Sequence, residues 1–140
     1  MITAVDTNII VALWDRDDAL NSVAQDALDA AFARGALVAS GAVLAELLAF
    51  PGRKEEFVNE FFRETGIAVD WTTNESIWRI AGRAFQVYAK RRRKEKVHGA
   101  RRILADFIIG AHALEKGYTM LTLDKGIYRT AFPKLRVVSV

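Results

Sequence analysis

Four carboxylates lie in otherwise apolar stretches of this sequence. Asp6 and Asp124 follow short runs typical of buried strands, ITAV and TMLTL, whereas Glu46 and Asp106 are the lone acids of the apolar segments AVLAELLAF and ILADFIIGAHAL. An isolated buried carboxylate is costly, so in folded proteins it is paired, protonated or bound to a metal. If the fold brings these four acids together, their oxygen atoms suit a hard cation such as Mg²⁺ or Mn²⁺.

Each acid also has a local alternative. Asp6 could cap the helix that follows it, and Asp124 begins the turn-forming sequence DKG. Glu46 could lie on the one solvated stripe of its helix. Asp106 has Arg102 one helical turn earlier, so an ion pair between residues i and i+4 is available. Each alternative is reasonable alone. If none of the four acids belongs to a common site, however, four independent coincidences are required.

Several other chemistries are excluded by composition and spacing. The chain has no cysteine, which rules out disulfides, thiolate zinc sites and cysteine nucleophiles. Its two histidines, His98 and His112, have no metal-binding spacing with the acids, so zinc is disfavoured; we expect His112 at the surface of its helix. No glycine-rich phosphate loop or GxSxG motif is present. Asn8 stands where a haloacid-dehalogenase-like phosphatase would need a second aspartate.

The net charge of +3 conceals a strong separation of charge along the chain. Residues 1–75 carry 5 Lys and Arg against 13 Asp and Glu, whereas residues 76–140 carry 15 against 4. Eight of these basic residues fall in the segment 90–102, KRRRKEKVHGARR. A basic face that binds a polyanion is one interpretation, and a solvated helix end is the other.

Strand-like and helix-like apolar patterns alternate along the chain. We predict strands over residues 2–5, 36–40, 67–71, 119–123 and 136–140, and helices over 7–14, 18–34, 42–50, about 53–65, 73–94 and 103–114. Gly117 ends the last of these helices, and a short turn or helix after Asp124 separates the last two strands. Asp17 and Asp18 are candidate caps of the second helix, and Thr73 and Asn74 of the fifth. The pattern indicates a single α/β domain over residues 1–140, with three layers and a mostly parallel central sheet flanked by helices.

The remaining sequence features concern location and packing. The first residues lack the basic start of a signal peptide, and the 16-residue run GALVASGAVLAELLAF contains an acid, so no membrane span is predicted. With the absence of cysteine, this favours the cytoplasm. We expect Trp14, Trp71 and Trp78 to pack in the core, and an apolar patch on the early helices is a candidate interface.

A family resemblance connects these motifs. The segments VDTNIIVAL, AVLAELLAF, LADFIIGAHALEKG and TMLTLDKGIY, in this order, resemble those of the PIN-domain ribonucleases, and most of all the small VapC-like toxins of toxin–antitoxin pairs. The resemblance covers essentially the whole chain. It implies a PIN-like α/β fold in which an acidic quartet coordinates one or two Mg²⁺ or Mn²⁺ ions: Asp6, Glu46, Asp106 and Asp124.

The resemblance also implies roles for polar neighbours of the quartet. Asn8 matches a residue that orients the carboxylates, and Thr122 a hydroxyl residue that hydrogen-bonds a ligand or its water. Many relatives carry a further acid shortly after the last aspartate, whereas this chain reads KGIY over residues 125–128. The sequence therefore leaves the number of ions open.

The function implied is that of a metal-dependent endoribonuclease toxin that hydrolyses RNA phosphodiesters with a metal-activated water. Its implied partners are RNA, a cognate antitoxin and a second copy of the chain. Basic residues that we expect to contact RNA phosphates are Arg91, Arg92, Arg93, Lys94, Lys96, Arg101 and Arg102. Two alternatives stay open: a housekeeping PIN-like nuclease without an antitoxin, and a non-catalytic RNA-binding PIN-like domain.

Overall fold

Strands and helices alternate as the apolar pattern predicts. The structure, a computed structural model, describes residues 1–95 and 102–139. The strands are β1 (Thr3–Val5), β2 (Leu37–Ser40), β3 (Ala68–Asp70), β4 (Thr119–Thr122) and β5 (Val137–Ser139). The helices of the described residues are α1 (Thr7–Trp14), α2 (Asn21–Arg34), α3 (Gly41–Leu48), α4 (Glu55–Thr65), α5 (Glu75–Glu95), α6 (Leu104–Lys116) and α7 (Lys125–Ala131).

All five strands belong to one parallel sheet, in the order β3-β2-β1-β4-β5. The strand order reverses beside β1, since β2 and β3 extend the sheet to one side and β4 and β5 to the other. In such sheets ligands bind outside the carboxyl ends of the strands at this switch point. The predicted fold class, a parallel sheet flanked by helices, is confirmed. The same topology brings the ends of β1 and β4, and with them Asp6 and Asp124, to one edge.

The central strands are buried because helices cover them. In β1 and β4 every residue is buried, and α6 is buried at Phe107 and again over residues 109–113. Gly110 lies where α6 meets Phe132, and a Cβ added to it would come 2.3 Å from the Phe132 ring. A glycine at this position therefore permits close packing of α6.

The helix ends follow the capping signals at two of three predicted places. The Asn74 side chain accepts a hydrogen bond from the Ile77 N–H (3.0 Å) at the start of α5, and Gly117 ends α6 in the left-handed conformation, φ 72°. The predicted start of α2 at residue 18 is wrong. The Asp18 carboxylate accepts from the Leu20 N–H at 2.7 Å, a local turn that competes with the helix, and α2 begins at Asn21.

No helix of the described residues is both long and apolar enough to cross a membrane.

Candidate active site

Asp6 lies at the centre of the candidate site, directly after β1. Only 6% of the residue is exposed, and both carboxylate oxygens accept hydrogen bonds. Oδ1 accepts from the Thr7 N–H at 2.8 Å, while Oδ2 accepts from the hydroxyls of Thr122 (2.8 Å) and Tyr128 (2.9 Å). Asp6 therefore caps α1, as its local alternative predicts, and it also holds residues from β4 and α7 together.

Asn8 and Thr122 connect the first acid to the last. The Asn8 amide donates to Thr122 Oγ1 at 3.3 Å, and Asn8 Oδ1 accepts from the Leu123 N–H at 3.1 Å. Thr122 Oγ1 in turn accepts from the Asp124 N–H at 2.9 Å. These bonds fix the backbone that carries Asp124 relative to Asp6; the roles expected of Asn8 and Thr122 at a metal site stay predictions.

Glu46 reaches the same region from α3. Its Oε1 accepts a hydrogen bond from the Thr7 hydroxyl at 2.6 Å, so Thr7 uses its N–H for Asp6 and its hydroxyl for Glu46. The residue is partly buried. Glu46 is thus directed toward the start of α1 and the first acid.

Asp106 and Asp124 complete the set from the other side. Asp106, in the first turn of α6, accepts from the Ile103 N–H at 3.2 Å, as a residue that caps a helix start does. Arg102 donates from Nη1 to Asp124 Oδ2 at 2.5 Å. The ion pair that the structure describes thus joins Arg102 to Asp124, whereas the local alternative paired Arg102 with Asp106.

Burial and mutual repulsion perturb the pKa values of this cluster. Burial raises the pKa of Asp6 to about 6, although its three hydrogen bonds oppose the shift and Asp106 adds to it. Burial also raises the pKa of Asp106, with a further contribution from the charge of Asp124 and an opposing one from Arg102. The pKa of Tyr128 is raised by burial and by the charges of Asp6, Asp106 and Glu46. Charge interactions thus link Asp6 to Asp106 and Asp106 to Asp124, while Glu46 acts on Tyr128.

The donor chemistry of the cluster fits a hard cation, but the present side-chain arrangement does not form a closed coordination shell. Carboxylates are the oxygen donors that Mg²⁺ and Mn²⁺ prefer, and two of these four, Asp6 and Asp106, have raised pKa values. Within residues 1–95 and 102–139, no group of three or more His, Cys, Asp or Glu side chains is close enough to hold one ion. Binding of an ion by these residues would require their side chains to move closer together.

The predicted RNA-binding residues divide into three groups. Arg91, Arg93 and Lys94 are exposed on the last turns of α5, where Arg92 is partly buried. Arg92 donates to the Tyr88 hydroxyl at 3.4 Å, and Arg102 pairs with Asp124. Lys96 and Arg101 lie outside the described residues.

Sequence reasoning missed the hydroxyl of Tyr128 as a part of the site. Tyr128 is 1% exposed and touches Asp6, which is 122 positions away. Its position one turn after Asp124 is the signal that places it near the last acid. The segment GIY contains no charged residue, but the hydroxyl of a buried tyrosine needs a hydrogen-bond acceptor.

The expectation that His112 lies at the surface is wrong. His112 is 2% exposed, and its Nε2 lies 3.2 Å from Oδ2 of Asp70 at the end of β3. The same Asp70 oxygen accepts from the Tyr118 hydroxyl at 2.9 Å. The middle of α6 is buried nearly all round, so a polar residue there meets a carboxylate on the sheet rather than water.

The expectation of three core tryptophans holds for one of them. Trp14 is partly buried and makes edge contacts with the rings of Phe50, Phe57 and Phe61. Trp71 and Trp78 are 68% and 49% exposed. Trp71 follows β3, an edge strand of the sheet, where its side chain lies largely in solvent.

Comparison with known proteins identifies the architecture. Residues 3–133 match the family model described as the PIN domain. The fold superposes on VapBC2 from Rickettsia felis bound to a promoter DNA fragment with a TM-score of 0.67, at 19% identity, over 100% of this chain and 99% of that one. VapBC-1 from nontypeable Haemophilus influenzae gives 0.67 at 21% identity, over 99% and 98% of the two chains.

A third structure carries a stated activity. VapC20 of Mycobacterium tuberculosis, a toxin that cleaves the sarcin-ricin loop, matches with a TM-score of 0.62 and 19% identity, over 96% of this chain and 98% of that one. At these identities the structural matches show a shared fold. No curated protein matches the sequence.

Proposed function

The chain belongs to the PIN domain family, and we propose that it is a metal-dependent endoribonuclease and the toxin of a toxin–antitoxin pair. The observation that carries the proposal is the buried Asp6 carboxylate at the switch point of the sheet. Its pKa is raised to about 6 by burial, with Asp106 contributing. A perturbed carboxylate at this edge of a parallel sheet is typical of an active site.

Asp6, Glu46, Asp106 and Asp124 would hold the Mg²⁺ or Mn²⁺ ion. Such an ion, when bound, supplies positive charge for a phosphodiester and acidifies water at neutral pH. Because the ion offsets both burial and repulsion, it would keep all four acids ionised. Asn8 and Thr122 fix the spacing of Asp6 and Asp124 through their hydrogen bonds.

Arg102 has two roles in this proposal. Its guanidinium neutralises Asp124 in the structure described here, and the same cation can turn toward a phosphate when an ion takes over that neutralisation. The exposed arginines at the end of α5 extend the positive charge along the path of an RNA strand. An acidic site next to a basic helix end is thus the expected arrangement for cleavage of a polyanion.

The partners are inferred from the relatives. The Rickettsia and Haemophilus proteins are VapBC assemblies, and we propose an antitoxin as the regulatory partner of this chain. A homodimer is also proposed, since the exposed Phe32, Leu48 and Phe57 on the early helices are apolar surface that a second chain could cover.

Cleavage assays with the purified wild-type protein and one variant test the proposed activity. Wild type should cleave RNA in Mg²⁺ or Mn²⁺, and Asp106→Asn should retain below about 1% of that rate because it removes an ion ligand. The variant should fold at least as stably as wild type without metal, since it removes a partly buried charge that Asp124 repels. Cleavage is read on gels, metal affinity by calorimetry and stability by thermal unfolding. Full cleavage by Asp106→Asn would show that the site is assigned wrongly.

A further inference from the structure

A groove of about 380 Å³ runs between the last turns of α5 and α7. Small and aliphatic side chains form its floor: Ala84 and Val87 from α5, and Ile127 and Ala131 from α7. Arg91, Arg92 and Arg102 lie around it, together with the carboxylate of Glu95. The groove therefore combines an apolar surface with a predominantly cationic rim.

The groove is adjacent to the acidic cluster. Arg102 lines it and also pairs with Asp124. Gly126 lies on its wall, and a Cβ built on Gly126 would be 3.8 Å from Asp124 Oδ1. With no side chain at Gly126, a ligand in the groove can approach Asp124 closely.

A tyrosine inside the groove is held in place by its hydroxyl. The Tyr88 hydroxyl accepts from the Arg102 N–H at 2.7 Å and from Arg92 Nη1 at 3.4 Å. Its ring packs against Phe85 and Phe107, with centroids 6.4 and 5.4 Å away. A flat aromatic group and guanidinium planes are therefore fixed next to each other.

This combination matches the chemistry of a nucleotide. Unpaired bases in RNA stack on aromatic rings and arginine planes, while arginine side chains bind the phosphates. We propose that the groove binds the nucleotide next to the scissile phosphodiester, with its base on the apolar floor and its phosphate at Arg91. The inference rests on the proposed function, because it identifies a nucleotide-binding subsite for the same RNA substrate.

An acidic protein segment could use the arginines too, but the position of the groove favours RNA. An RNA strand whose phosphodiester lies at Asp124 must place its adjoining nucleotide within a few ångströms, and the groove opens there. A protein segment has no such requirement. Because the groove adjoins the acidic cluster, we favour RNA over a protein segment as its occupant.

The test compares a substitution that fills the groove with a substitution at a neighbouring residue outside the groove. Val87 is 56% exposed and lines the groove, whereas Gln86 is exposed on the same turn and does not line it. Wild type, Val87→Trp and Gln86→Trp would cleave a pool of RNA oligonucleotides of random sequence in Mn²⁺, with the ends sequenced. Arg91→Ala and its neighbour Lys90→Ala form a second matched pair, since only Arg91 lines the groove.

Val87→Trp should raise KM about tenfold, which is the order of effect of one stacked base, and should lose the base preference at one position beside the cut. Its kcat and melting temperature should match those of Gln86→Trp. Arg91→Ala should raise KM at every sequence, and Lys90→Ala should not.

Two results would count against the proposal and are distinguishable. If wild type cleaves the pool and Val87→Trp keeps both its KM and its base preference, the groove does not bind RNA; a protein occupant gives this outcome. If wild type cleaves no RNA, the proposed function itself fails, and the inference fails with it.

Discussion

Asp6 has a structural role in the fold and a proposed role in the active site. Its carboxylate caps α1 and accepts from Thr122 and Tyr128, so it connects three elements. Burial nevertheless raises its pKa to about 6, which means that folding alone does not satisfy its charge. A cation would compensate for that cost, and the need for one is the residue-scale argument for a metal.

Tyr128→Phe tests whether the hydrogen bonds around Asp6 position it for activity. Without the donated hydroxyl, Asp6 is held less firmly, and we expect cleavage or metal affinity to fall about 10-fold to 100-fold, as for other residues that orient metal ligands. Calorimetric metal titration and RNA cleavage give both values.

The matched control is Tyr118→Phe, which removes a hydrogen bond to Asp70 instead. It should lower the free energy of unfolding by about 1 to 2 kcal/mol while leaving cleavage at the wild-type rate. Equal cleavage by both variants would mean that Tyr128 has a purely structural role.

At the scale of elements, α6 carries one of the four candidate acids at one end and packs against its neighbours in the middle. Asp106 in its first turn faces the acid cluster, and residues 109–113 are buried. A rigid helix of this kind keeps Asp106 in a defined place. One prediction concerns its packing, and a second concerns Asp70, the carboxylate next to its buried His112.

Gly110→Ala should destabilise the fold by about 1 to 3 kcal/mol, because the new methyl group overlaps the buried Phe132 ring. Urea unfolding measures the change. Gly82→Ala, at an exposed position of α5 with no atom within 4 Å of the added Cβ, should instead raise stability by up to about 1 kcal/mol. Equal stability of the two variants would contradict this packing.

Asp70 should make stability depend on pH in acid. Burial opposes ionisation, but hydrogen bonds from Thr72 and Tyr118 and the nearby His112 outweigh it and lower the pKa of Asp70 from 3.8 to about 2. A folded-state pKa below the unfolded one stabilises the fold above pH 4, by about 1 to 2 kcal/mol, and this stabilisation is lost as the pH falls toward 2. Asp70→Asn should therefore be less stable than wild type at pH 5, with the difference shrinking at lower pH. A constant difference would refute the lowered pKa.

At the scale of the molecule, sequence reasoning predicted what depends on local pattern. The strand and helix order, the parallel sheet and the end of α6 at Gly117 follow from apolar periodicity and glycine placement. The four acids are candidate site residues because each lies within or directly after an apolar run. Each of these features depends on residues that are close to one another in sequence.

Contacts between distant residues could not be read in this way. The Tyr128–Asp6 and His112–Asp70 contacts join residues that are far apart in sequence, so burial of His112 depends on how α6 crosses the sheet. The exposure of Trp71 likewise depends on β3 lying at the sheet edge. The pairing of Arg102 with Asp124 depends on the path of the chain into α6. Sequence spacing offers only Asp106, one helical turn away, as a possible partner of Arg102.

The fold brings part of the basic segment of the sequence next to the acids. The basic end of α5 and Arg102 lie beside the groove, and Arg102 contacts the acid cluster. One region of the molecule thus places carboxylates beside arginine side chains. The proposed cleavage of RNA needs both, since the carboxylates would hold a cation and the arginines a phosphate backbone.

Sequencing of RNA ends in cells that express this chain tests the central claim most directly. Wild type should produce new ends at a small set of positions, and Asp6→Asn, expressed to the same level, should produce none of them. The same new ends in both strains, or no new ends with wild type, would contradict cleavage of RNA by the acid cluster.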